Sequence, residues 1–298
     1  MADLIKAKLV KYFRSPLFYI AAAVSLISGI YGGVYFSYFR DEPCDVLNCS
    51  ADDMWIITAM WAEIVLVAMC AGREFSDGTV RSKIIAGHSK ARVFISEILT
   101  AAIVTVIIYI LNIVPTAVGG AYFFGSIPAL SAVNWFIDVF LAFEFMSIMA
   151  AAVTYLLSKR AAAVVAAFGL HFVLYVIFGF TDGYYYSIGE PQTVTASFCN
   201  VLEDGTVEEV EEEVVNRYYT EGLPKALIKA EHALNPMGGL EDAIYFGYIP
   251  DKTKVEDYVL EQERNRDRDL KLNVVKMLAY CFALTFGGAY LFGKKDLK

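Results

Sequence analysis

Long apolar runs alternate with short polar connections along most of the chain. A helix that crosses a membrane needs about 20 mostly apolar residues. Six stretches meet this requirement: residues 17–38, 54–71, 94–118, 132–157, 161–180 and 273–292. None of them alternates apolar and polar positions with the period of two that membrane β-barrels show. The pattern therefore predicts an all-α integral membrane protein with six transmembrane helices.

The composition agrees with this pattern. Hydrophobic residues make up 57% of the 298 residues and charged residues only 19%, and the mean hydropathy is +0.49. A water-soluble protein of this length needs more polar surface than such a composition provides. The predicted organisation is an N-terminal segment (1–16), five spans (17–180) with a long connection at 72–93, an outer region (181–272), and a last span with a basic tail (273–298).

Basic residues concentrate in alternate connections, which fixes the expected orientation. The N-terminal segment, the second and fourth connections and the tail together contain Lys6, Lys8, Lys11, Arg14, Arg73, Arg81, Lys83, Lys90, Arg92, Lys159, Arg160, Lys294, Lys295 and Lys298. The two short connections on the other side contain only Arg40. Since Lys and Arg are retained on the cytoplasmic side, we expect both termini in the cytoplasm and residues 181–272 outside.

The N-terminal segment has the pattern of an amphipathic helix. Drawn as a helix, it separates an apolar face from basic positions that oppose or flank it: Ile5, Leu9, Tyr12 and Phe13 against Lys6, Lys8, Lys11 and Arg14. This pattern predicts a helix in the membrane interface, with its cations among the lipid headgroups, that ends before Pro16. The alternative is that these cations only precede a first span.

The outer region is strongly acidic and is predicted to be helical. Val207, Val210 and Val214 form a thin apolar stripe typical of one helix, and residues 223–234 carry a second amphipathic pattern. Residues 255–272 read as a charged helix that continues into the last span. The acidic residues are either a solvated surface or an attraction for a cationic solute or an outer partner.

Motifs for cofactors and catalysis are lacking. His88, His171 and His232 are too scattered for a zinc site, and residues 288–295 fit the phosphate-binding pattern Gly-x-x-x-x-Gly-Lys but lack its final Ser or Thr. We therefore expect no enzyme, metal site, nucleotide site or nucleic-acid binding in this chain. Three cysteines fall in predicted outer connections: Cys44, Cys49 and Cys199. The sequence leaves open whether two of them form a disulfide.

Ionisable residues lie within the apolar runs: the carboxylates Glu63, Asp138 and Glu144, and His171. A charge at the centre of a spanning helix costs about 2.5–3.5 kcal/mol on insertion scales, so these groups must face protein or water or be protonated. Either they line a translocation path or they hydrogen-bond between helices. His171, on an aromatic-rich helix, is expected to be a packing residue.

The connection at 72–93 contains residues that typically begin and end a helix. It reads Arg-Glu-Phe-Ser-Asp-Gly-Thr-Val-Arg-Ser-Lys from position 73, followed by Gly87-His88-Ser89-Lys90. Asp77-Gly78-Thr79 supplies a turn and a cap, so a short helix is predicted to begin there and to end at Gly87. This segment resembles the first cytoplasmic loop of the ABC-2 type permeases, and the six spans and the inside termini are also similar to that family.

The resemblance implies the permease subunit of an ATP-binding-cassette exporter in a bacterial cell membrane. A separate cytoplasmic ATPase, which carries the ATP and magnesium, would bind each permease, and two permeases would pair as a homodimer or heterodimer. The expected ATPase-coupling residues are Glu74, Gly78, Thr79, Arg81, Lys83, Ile84 and Gly87. The short helix would then show a basic face (Arg81, Lys83) and an apolar face (Val80, Ile84, Ile85), and Glu74 would pair with Arg73, Arg81 or a cation of the partner.

The expected substrate is an amphipathic or antimicrobial peptide, as in permeases that resemble bacitracin, lantibiotic or toxin-peptide exporters. An aromatic interior with Glu63 and Glu144 and an acidic exterior would suit a cationic amphiphile. The alternative is a secondary transporter or channel driven by an ion gradient, with Glu63, Asp138 and Glu144 as a proton relay.

Overall fold

A computed structural model describes residues 1–35, 54–124, 129–186, 193–201, 207–216, 219–236 and 257–296. Its elements in chain order are α1 (Ala2–Phe13), α2 (Pro16–Tyr35), α3 (Met54–Ser76), α4 (Thr79–Ile85), α5 (Lys90–Phe124), α6 (Ala129–Leu157), α7 (Arg160–Tyr186), β1 (Thr193–Val201), β2 (Val207–Val215), α8 (Gly222–Leu234) and α9 (Asp257–Lys294). Most described residues are thus helical. They divide into two compact units, one of Met1–Phe172 with Gly239–Lys298 and one of Val173–Gly238.

Six of these helices are long and apolar enough to cross a membrane, as the sequence predicts. The candidate spans are Pro16–Val34, Trp55–Ser76, Lys90–Gly119, Phe136–Leu157, Arg160–Thr181 and Leu272–Lys294. The spans in α3 and α6 have the largest buried shares, and those in α7 and α9 the smallest. The core of the first unit therefore lies around α3 and α6, both of which also contact α5.

The crossing of α2 and α5 is made close by glycines. Gly29 and Gly33, one helical turn apart, face α5, and a Cβ atom at Gly33 would lie 2.6 Å from the carbonyl oxygen of Pro115. The same approach lets the hydroxyl of Thr116 donate to the carbonyl oxygen of Gly29 at 3.0 Å, and the amide of Asn112 donates to the hydroxyl of Ser28 at 2.9 Å. Small residues and interhelical hydrogen bonds are what hold helices together in lipid.

Gly29→Ala is therefore expected to destabilise the protein by about 2 kcal/mol, since overpacking a tight contact costs about 1–3 kcal/mol. The new methyl group would collide with the backbone of Asn112. Gly169→Ala is the matched control, because nothing lies within 4 Å of a Cβ atom built there. The measurement is the thermal midpoint of the detergent-solubilised protein. Equal midpoints for the two variants would contradict the close crossing.

The second unit contains a β-hairpin where a helix was predicted. Residues 207–215 form β2, which pairs antiparallel with β1 and places Thr193 opposite Val215 and Val201 opposite Val207. The helical prediction for the Val207–Val210–Val214 stripe is therefore wrong. The sequence contains Asp204-Gly205 between two segments rich in β-branched residues, and this combination favours a hairpin over a helix.

The helix predicted for residues 223–234 is confirmed as α8, which packs against the C-terminal part of α7. The side-chain amide of Asn235 donates to the carbonyl oxygen of Leu174 at 3.0 Å, and Thr181 donates to the Glu231 carboxylate at 2.6 Å. The two helices therefore run antiparallel, and α8 ends beside a residue that lies inside a candidate span. The leucines of α8 are exposed: Leu223, Leu227 and Leu234.

The charged segment before the last span is also helical, as predicted, because α9 runs without a break from Asp257 to Lys294. Cys44 and Cys49 lie outside the described residues. The backbone of Cys199 lies in β1, but its side chain is outside the described set. Cys70 and Cys281 are free thiols.

Candidate functional site

Helix α1 packs against α5 through a stripe that the sequence pattern did not single out. Leu4, Lys8 and Tyr12 are the buried residues of this helix, spaced one turn apart along one face. Only 1% of the surface of Lys8 is exposed to solvent. Its predicted place among lipid headgroups is therefore wrong.

The ammonium group of Lys8 lies among two carboxylates and a phenol. It contacts Glu97 directly, donates to the hydroxyl of Tyr155 at 2.8 Å, and lies 3.1 Å from Glu74. Both carboxylates are also buried. A buried charge is tolerated only when it is paired and hydrogen-bonded, and this arrangement meets that condition.

Glu74 extends the cluster to α4. Its carboxylate accepts a hydrogen bond from Lys83 at 2.6 Å and lies 3.6 Å from the half-exposed Lys11. The predicted partners of Glu74 in this chain are wrong, because Arg73 pairs with Asp77 at 3.3 Å instead and Arg81 is exposed.

We call Lys8, Tyr12, Glu74, Lys83, Glu97 and Tyr155 the Lys8 cluster. It joins α1, α3, α4, α5 and α6, so five elements share one set of charges. The hydroxyl of Tyr12 donates to Glu97 at 2.9 Å. Burial, followed by the charge of Glu97, raises the pKa of Tyr12 well above its ordinary value, so this phenol remains a hydrogen-bond donor at neutral pH.

Aromatic rings enclose the cluster on the side of Tyr155. The rings of Phe75, Phe94 and Phe292 lie edge-on to that of Tyr155, with centroids 4.9, 5.4 and 5.0 Å away. They come from α3, α5 and α9. Edge-to-face packing of this kind is favourable, and the rings exclude water from the ion pairs, which strengthens them.

The short helix α4 has the ends that the sequence predicts. Gly78 precedes it at φ 66°, in the left-handed region that glycine adopts without strain, and the Thr79 hydroxyl donates to the carbonyl oxygen of Glu74 at 3.0 Å. At the other end, the N–H of Gly87 donates to Ile84 and that of His88 to Lys83, with Gly87 at φ 95°. This pair of bonds is a Schellman ending.

The faces of α4 differ from those predicted. Val80 is buried, and Lys83 points inward to Glu74, so neither belongs to an outward docking face. What α4 presents to solvent is Arg81 together with Ile85, which is 78% exposed. Burial and the nearby Lys8 lower the pKa of Lys83 despite the opposing charge of Glu74.

The C-terminal tail closes the same end of the first unit. The ammonium of Lys295 contacts the carbonyl oxygen of Leu156 and lies 2.7 Å from the hydroxyl of Ser158, while Lys90 donates to the backbone carbonyl of Lys295 at 2.5 Å. Lysines at helix C-termini neutralise unpaired carbonyls and the helix dipole. We call this end, where α1, α4, the α6–α7 connection and the tail meet, the basic end.

The three predicted intramembrane carboxylates are all buried, and two are close enough to interact electrostatically: Glu63 and Glu144. Glu63 contacts the hydroxyl of Thr105, which also lies 3.0 Å from the carbonyl oxygen of Ala101. Asp138 lies on α6 with Glu144.

His171 is packed, as expected from its surroundings in sequence. Its ring is buried, with Nδ1 3.2 Å from the sulfur of Met146 and the ring edge-on to Trp61. Glu97 was not among the predicted intramembrane carboxylates, although it lies inside the predicted third span. This position could have identified it, because a carboxylate in an apolar run requires a partner.

In comparisons with known proteins, the chain matches no family model. No curated protein is significantly similar to it in sequence.

Proposed function

We propose that this chain is the permease subunit of an ATP-binding-cassette exporter and that α4 is its contact with a separate cytoplasmic ATPase. The observation that carries the proposal is the way α4 is held. It is a short helix with defined ends, and it presents Arg81 and Ile85 outward. On its inner side, Lys83 binds Glu74 and thereby joins α4 to the rest of the Lys8 cluster.

This arrangement gives α4 a mechanical role. A force on its outer face passes through Lys83 to Glu74 on α3, and from there through Lys8 to Glu97 on α5, because these charges are bonded to one another. Val80 adds an apolar contact beneath the helix. Closure of a bound ATPase would therefore move the ends of several spans together instead of bending one loop.

The basic end is the side that we assign to the cytoplasm of a bacterial cell. It carries the exposed Arg81 and Lys159 together with Lys294 and Lys295, and the positive-inside rule retains such charges in the cytoplasm. A second permease copy would pair through the sparsely buried spans in α7 and α9. The exported substrate would be a cationic amphipathic peptide, for which Glu63 and Glu144 supply counter-charge.

A second candidate function is transport driven by a proton gradient. Glu63 favours it, because this carboxyl group is fully buried and its Oε2 has no hydrogen-bond partner among the described residues. A group of this kind is able to gain and lose a proton during a transport cycle.

Glu63→Gln distinguishes the two functions in inverted membrane vesicles that are supplied with ATP and a cationic amphipathic peptide from outside. Glutamine keeps a side-chain oxygen that accepts the hydrogen bond from Thr105 but cannot titrate. An ATP-driven permease should require ATP and tolerate a protonophore, and Glu63→Gln, which removes one of the two counter-charges, should lower its uptake by no more than about fivefold. Uptake that stops with the protonophore, and is lost in Glu63→Gln while a Glu144→Gln control retains it, would establish the proton-driven function instead.

A further inference from the structure

A cavity of about 320 Å³ opens beside the Lys8 cluster at the basic end. It lies between α1, the start of α2, the end of α3, the start of α5 and the start of α7. Its volume falls at the lower limit of ligand pockets in proteins, which span about 300–1,000 Å³. The cavity is therefore large enough for a small polar group.

The lining carries more positive than negative charge. Five cations face three carboxylates: Lys8, Lys11, Arg14, Arg73 and Arg160 against Glu74, Asp77 and Glu97. The carboxylates are already engaged with cations, Glu97 and Glu74 with Lys8, and Asp77 with Arg73. A bound anion would therefore meet surplus cations and not compete with an existing ion pair.

Two arginines from different elements supply that surplus. Arg14 follows α1 and is exposed, with no acidic partner among the described residues. Arg160 begins α7, is half-buried, and contacts a sulfur atom, that of Met69, at 3.3 Å. Guanidinium groups present forked donors that match the oxygens of a phosphate.

Two helix N-termini add to the positive electrostatic potential of the cavity. The cavity is lined by Ser15 and Leu17 at the N-terminus of α2 and by Arg160 at the N-terminus of α7. The N–H groups of a first helical turn lack intrahelical partners and carry partial positive charge, which favours anions. The phenol of Tyr12 is a further lining group.

We infer that this cavity binds a phosphate group, and that the phosphate is the headgroup of an anionic phospholipid. The cavity lies at the ends of candidate spans, next to the helix α1 that leads into the first of them. Headgroup phosphates lie at this depth in a bilayer, and basic pockets between spanning helices are known to receive them. This inference requires that the chain span a membrane but does not depend on what it transports.

The test is binding of fluorescent phosphatidylglycerol or phosphatidylcholine to the purified full-length protein in detergent micelles. We expect phosphatidylglycerol to bind at least about tenfold more tightly than the zwitterionic lipid. Arg14→Gln and Arg160→Gln should each weaken phosphatidylglycerol binding about fivefold, as expected for one basic residue at a membrane surface. Arg14 is exposed, so its variant should keep the elution profile of the parent.

Lys159→Gln is the matched control, because it removes the same charge one residue from Arg160 and Lys159 does not line the cavity. Competition with glycerol 3-phosphate separates the sources of phosphate. No displacement at millimolar concentration supports the lipid headgroup, and displacement reassigns the same cavity to a soluble phosphate ester. Equal affinity for the two lipids, or a Lys159→Gln loss as large as that of the two arginine variants, would overturn the inference.

Discussion

Replacing Lys8 with methionine is expected to lower the free energy of unfolding by about 3–5 kcal/mol, the cost of breaking a buried ion pair from one side. Methionine fills much of the lysine volume but leaves Glu74 and Glu97 without the charge between them. Both carboxylates are almost completely buried, so water cannot replace the ammonium group. The loss should be visible as a lower midpoint in unfolding by sodium dodecyl sulfate in mixed micelles.

Lys6→Met is the matched control, since Lys6 lies on the exposed side of the same helix and its loss should stay within about 0.5 kcal/mol. The double variant Lys8→Met/Glu97→Gln should recover part of the stability, because it also removes one of the stranded charges. If Lys8→Met unfolds at the parental midpoint, the buried ion pairs do not hold these helices together.

Arg81→Glu is expected to reduce ATP-driven export at least about tenfold while leaving the membrane bundle folded. Arg81 is exposed on α4 and bonds to none of the Lys8 cluster, so its replacement spares the interior. A reversed charge at the centre of an interface places like charges together, which costs several kcal/mol. The measurement is peptide uptake into inverted vesicles together with the thermal midpoint of the purified protein.

Lys159→Glu makes the same charge change in the other short connection at the basic end. It should leave export unchanged, and this controls for an effect of the charge change on membrane topology. Ile85→Ser should act in the same direction as Arg81→Glu, because it removes the exposed apolar side chain beside Arg81. If export is lost equally in Arg81→Glu and Lys159→Glu, α4 is not the specific contact with the ATPase.

The spans and the ends of α4 were predictable from sequence because local rules decide them. An apolar run of spanning length has few folded options other than a helix. Gly78 and Gly87 mark the two ends of α4 because both adopt positive φ, which side chains disfavour.

The Lys8 cluster was not predictable in the same way. Helical spacing alone places Lys8 near the border of the apolar face, and nothing local shows that it meets Glu97, 89 positions later. Long-range pairing also decided the outer region. The Val207–Val214 stripe fits a thin helical pattern on its own, but pairing with β1 satisfies its backbone and makes it a strand.

The most direct test of the proposed function is ATP hydrolysis by the complex that co-purifies with the tagged chain under mild detergent from its native membranes. We predict that a P-loop ATPase co-purifies, that the preparation hydrolyses ATP with magnesium, and that Arg81→Glu loses both the partner and the hydrolysis while Lys159→Glu keeps them. A preparation without ATP hydrolysis, or an Arg81→Glu variant that retains partner and activity, would contradict the proposal.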